Sequence, residues 1–82
     1  MTDMKQRCES VREKLEAGGV HPSDIWWTES GRVVVEIVWG DWKHDHARAD
    51  YLVSQLGGKV DDVFVTESDG SDTYSATHFY KF

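Results

Sequence analysis

The chain has one cysteine and one proline in 82 residues, and its 9 Lys plus Arg are outnumbered by 15 Asp plus Glu. Each shortage excludes something. Cys8 alone makes neither an internal disulfide nor a cysteine-rich zinc site, so the fold must rest on its core. A formal net charge of −6 is the wrong sign for gripping a phosphate backbone, and no direct nucleic-acid binding is expected. No apolar run approaches the roughly 20 residues of a membrane-spanning helix, so no membrane partner is expected. The opening residues Met1 to Arg7 lack the apolar stretch of a signal peptide, and the expected location is cytoplasmic. What is present is 39% hydrophobic and 12% aromatic, too rich for a disordered chain. The length predicts a single small domain, residues 1–82, with little core to spare.

Hydrophobic spacing divides the chain into alternating periods. Met4, Cys8, Val11 and Leu15 recur at four, three and four, which predicts an amphipathic helix over 3–17, closed by Gly18-Gly19. Ile25 to Thr28 reads as a strand, Glu29-Ser30-Gly31 as a tight turn, and Arg32 to Trp39 as a second strand. On that second strand Val33, Val35, Ile37 and Trp39 face one way and Val34, Glu36 and Val38 the other, the pattern of a central strand. Asp41 is a suitable N-cap for a second helix. Trp42, His46, Ala49, Val53 and Leu56 form its stripe, and Gly57-Gly58 its end. Val60 to Glu67 and Thr73 to Phe82 read as two further strands.

The expected fold is therefore α+β: helix-strand-strand-helix-strand-strand, a four-stranded antiparallel sheet with two helices on one face. The halves share wording. Each has a helix closed by Gly-Gly, and Trp27-Thr28-Glu29-Ser30-Gly31 parallels Val65-Thr66-Glu67-Ser68-Asp69-Gly70. Offsets of 38 or 39 suggest an internal duplication with half-repeats 1–40 and 41–82.

The densest polar run is Asp41-Trp42-Lys43-His44-Asp45-His46. Imidazole with carboxylate suits a transition metal, but on a helix His44 and His46 stand about 200° apart and cannot share one ion. His46 and Asp50, one turn apart, form the better pair; a third ligand would come from His78, His21 or Cys8, and His46, Asp50 and His78 make the alternative metal site. That alternative is a small metal-dependent enzyme; otherwise His46 is a structural histidine and no cofactor is expected. A nucleophile elbow of the Gly-x-Ser-x-Gly kind is absent. Cys8 sits on an apolar stripe, where a thiol behaves as a small, inert hydrophobe.

Aromatic residues crowd the strands. Alternation puts Tyr74, Ala76, His78, Tyr80 and Phe82 on one face of the last strand, and Phe64 is expected to join them. Two helices on one side leave the other side of the sheet open. Aromatics there would make an interface, edged by Asp61, Asp62, Glu67, Asp69 and Asp72. A face this acidic repels phosphates and attracts a basic protein. The function expected is non-catalytic protein binding by a small acidic module. The partner-binding residues would be Phe64, Tyr74, His78, Tyr80 and those five acids. Size and charge match inhibitors of nucleic-acid-handling proteins carried by phages and mobile elements, an analogy and no more. Val34, Val38, Phe64 and one of Trp26 or Trp27 would leave an apolar row on the open side, which a second copy would cover. A self-associating structural module, a homodimer, is thus a further alternative.

Overall fold

A computed structural model describes residues 4–39, 42–67 and 74–82; the side chains at 39, 42–46, 67 and 74 lie outside that description. The elements are α1 (Met4–Ala17), β1 (Asp24–Trp27), β2 (Val33–Trp39), α2 (Trp42–Ser54), β3 (Lys59–Glu67) and β4 (Tyr74–Lys81). The order is the expected one. All strand pairs are antiparallel and the sheet runs β1-β2-β4-β3, so each hairpin contributes one central and one edge strand. The expected N-cap role of Asp41 lies outside the described residues.

Both helices pack on one face of the sheet. Cys8, Val11 and Leu15 are the buried stripe of α1, spaced at i, i+3 and i+7 as a single core-facing face requires. They meet Val33, Val35 and Ile37 of β2, Ala49, Leu52 and Val53 of α2, and Tyr80 of β4 in one core, with Met4 and Ile25 packed at its margin. Leu56 does not continue the α2 stripe. The helix ends at Ser54, so Leu56 falls in the following turn and is 39% exposed.

Both helices end by the same hydrogen-bond pattern. After α1, Val20 N–H donates to Leu15 O (2.8 Å) and Gly19 N–H to Glu16 O (3.1 Å); after α2, Gly58 N–H donates to Val53 O and Gly57 N–H to Ser54 O, each at 3.1 Å. This double closure needs a left-handed residue at its pivot. Gly19 (φ 87°) and Gly57 (φ 89°) supply it. Gly18 is needed for a different reason, since a Cβ there would collide with the Leu52 side chain. That close approach brings α1 against α2, and Arg48 Nη1 donates to Gly18 O across the gap (3.0 Å).

Cys8 is 7% exposed. Burial pushes its thiol above the ordinary value, with Arg12 pulling the other way. A thiol reagent should therefore modify Cys8 slowly in the native protein and rapidly in denaturant, because only the thiolate reacts. Equal rates in the two conditions would show that α1 is docked some other way.

Candidate functional site

Strand alternation and register decide which side chains share a face. In β4, Ala76, His78 and Tyr80 stand opposite Ile37, Val35 and Val33 of β2, so all three point toward the helices. Each is fully buried. Phe64 does not join them: it pairs with Thr77, on the opposite face. The expected partner-binding face of Phe64, His78 and Tyr80 is therefore corrected. The reason is a register shift in β3 between Val60 and Asp62, where Asp61 has no counterpart in β4. One extra residue in a strand reverses the facing of everything after it.

His78 and Tyr80 instead form a polar cluster beneath α2. Tyr80 O–H donates to Asp50 Oδ1 (2.8 Å), and His78 Nδ1 lies 3.0 Å from both that oxygen and the Tyr80 hydroxyl. A carboxylate only accepts, so the contact with Asp50 requires a hydrogen on His78 Nδ1. The two rings stack at 5.6 Å. Burial first, then the charge of Asp50 and its hydrogen bond, raise the Tyr80 phenol well above its ordinary value. Tyr80 is thus a permanent donor. The Asp50 side chain keeps 29% exposure while that of His78 has none, and a general base must reach a substrate proton to act. What this geometry does is fasten α2 to β4. Of the alternative metal set, Asp50 and His78 meet; the His46 side chain lies outside the described residues. Among the described residues no group of three His, Cys, Asp or Glu is arranged to hold a metal ion.

The face away from the helices has a different chemistry. Trp26, Val34 and Phe79 stand in register across β1, β2 and β4. Phe64 meets Phe79 edge-on, ring centroids 5.7 Å apart. Val34 is fully buried, a correction to the expected exposed row. Large rings on both neighbouring strands flank the small valine. Trp26, Val38 and Phe64 remain 38, 43 and 56% exposed. The Arg32 guanidinium lies 5.6 Å above the Phe79 ring and pairs with Asp61 at 3.0 Å. Asp24 and Glu36 are cross-strand neighbours on this face, and Asp62 stands opposite Phe79.

Of the remaining acids expected at the interface, Glu67 opposes Tyr74 in the β3–β4 ladder. Both of those side chains, like Asp69 and Asp72, lie outside the described residues. Two contributors escaped the sequence reading. Phe79 falls between His78 and Tyr80 and belongs to the other face by simple alternation; that signal was present. Arg32 carried none, since its reach depends on the register of three strands. No protein-family model matches the chain, and neither a curated protein nor a solved structure matches it.

Proposed function

We propose that this chain is a non-catalytic binding module that receives a basic protein on the sheet face opposite its helices. The supporting observation is Phe64, 56% exposed in the middle of an edge strand, with Trp26 and Val38 partly exposed on the same face. Exposed aromatics at the centre of a surface are the usual anchors of protein interfaces. Asp24, Glu36 and Asp62 surround them, and the chain carries −6 overall, which favours a positively charged partner. By analogy of size and charge, a nucleic-acid-handling protein blocked by a small phage or mobile-element inhibitor is the partner class to try first.

Phe64→Asp tests this reading. The side chain is more than half exposed, so the substitution, losing its edge-on contact with Phe79, should cost only about 1 kcal/mol and leave the domain folded. It should also weaken capture of a basic partner by about 30-fold or more, the 2 kcal/mol or greater of an interface anchor. Tyr51→Asp on the outer surface of α2 is the control and should leave capture intact. Sedimentation of the isolated chain identifies the other occupant: a dimer that Phe64→Asp dissociates would give this face to a second copy. Undiminished capture by a folded Phe64→Asp protein would place binding elsewhere.

A further inference from the structure

At the end of the sheet where β3 begins, Lys59 and Lys81 stand directly opposite each other. Cross-strand neighbours have Cβ atoms about 5 Å apart, and like charges in that position destabilise a sheet. Both side chains are exposed, and neither has an ion-pair or hydrogen-bond partner among the described residues. In a chain where acids outnumber bases 15 to 9, two adjacent cations without a carboxylate stand out. They also line an open cleft of about 410 Å3, with Val60, Phe82 and Gly57 as its apolar part. Asp61, the one acid lining it, is held by Arg32 at 3.0 Å. On the helix side of the sheet edge, the Arg7 guanidinium sits 4.6 Å over the Phe82 ring.

We propose that this cleft is an anion site for a phosphate dianion, free or as a phosphomonoester. The phosphate oxygens would accept from both ammonium groups, relieving their repulsion. Val60 and Phe82, which turn to the helix side with Tyr80, bound the cleft where it wraps round the sheet edge. A doubly charged ligand fits better than a singly charged one, because two ammonium groups must be neutralised together. Lys81 alternates with Phe79, so the two lysines edge the sheet face described above, but no residue named in that reading lines the cleft.

The test is a titration of backbone amide resonances with inorganic phosphate, and in parallel with phenyl phosphate, at constant ionic strength. Saturable shifts at Lys59, Val60, Lys81 and Phe82 are expected. They should strengthen as pH rises through the second phosphate ionisation, at about pH 6 for an ester. Tighter binding of phenyl phosphate would identify an ester as the ligand, and equal binding the free ion. Lys59→Gln and Lys81→Gln should each weaken binding by about tenfold, the value of one charge-assisted hydrogen bond. Without phosphate, Lys59→Gln should melt no lower than the wild type, since it removes a repulsion. Lys14→Gln on α1 and Phe64→Asp should leave phosphate binding unchanged. Shifts that grow linearly with phosphate, that scatter over all lysines, or that survive both glutamine substitutions would overturn the proposal.

Discussion

Replacing Asp50 with alanine is expected to cost about 2–4 kcal/mol of folding stability. That figure follows from two buried donors losing one shared acceptor, moderated by the partial exposure of the Asp50 side chain. The loss arises mainly from what remains behind. His78 and Tyr80 are fully buried, and both direct a hydrogen toward Asp50 Oδ1. Without that acceptor, two buried polar groups lose their shared partner, at about 1–3 kcal/mol for each one left unsatisfied. Tyr80→Phe removes only one donor and should cost about 1 kcal/mol. The two effects should not add, because they share one oxygen. Chemical denaturation of the single and double variants measures this coupling, and additive losses would mean that the cluster does not hold α2 to β4.

The same cluster predicts a pH dependence. The folded-state value of the Tyr80 phenol lies above its unfolded value of about 10. Its contribution to stability is therefore complete below that pH and is lost as pH rises beyond it. Tyr80→Phe should flatten the alkaline limb of the stability curve relative to the wild type.

Leu15→Ala should cost more, about 3–4 kcal/mol, in the upper part of the range for a leucine truncated within a core. Leu15 is fully buried at the last turn of α1. Its carbonyl also accepts the Val20 N–H that closes the helix, so the cavity would open where the chain reverses. Domains of this size hold about 0.05–0.15 kcal/mol per residue, or about 4–12 kcal/mol in total. The variant thus loses a quarter or more of its stability. The urea midpoint should fall with the slope unchanged. A loss below about 1.5 kcal/mol would mean that Leu15 can repack, and that the core of α1 is looser than its burial implies.

The fold was legible because each element carried its own period. The stripe Cys8, Val11, Leu15 gave α1 its buried face directly, and Val33, Val35 and Ile37 of β2 lie in the core as alternation requires. Glycine pairs marked both helix ends, though only Gly19 and Gly57 carry the left-handed backbone. Gly19 and Gly57 are 38 residues apart (57 − 19), the offset that relates the two halves in wording. The strands of those halves differ in length, four and seven residues against nine and eight.

The site was less legible, for a reason of geometry. Which face Phe64 shares depends on the alignment of β3 with β4, and no local period encodes that alignment. The shift at Asp61 moved Phe64 away from His78 and Tyr80. The pairing of Asp50 with His78 joins residues 28 positions apart through tertiary packing. Sequence spacing paired Asp50 with His46 on the helix and named His78 only as a metal ligand, not as the hydrogen-bond partner of Asp50. Burial of Val34 likewise depends on the rings of Trp26 and Phe79 in adjacent strands, which a residue-by-residue count of apolar positions overlooks.

The central claim is that the sheet face, and not the helical surface, meets the partner. Phe64 and Tyr51 offer a matched comparison, 56 and 62% exposed on opposite sides of the molecule. A photo-crosslinking aromatic residue placed at position 64 in one protein and at position 51 in another, each irradiated in lysate of its own host, tests the claim directly. The account predicts one discrete covalent adduct from position 64, absent from position 51 and competed away by excess unlabelled wild-type chain. An adduct from position 51 with none from position 64 would contradict it.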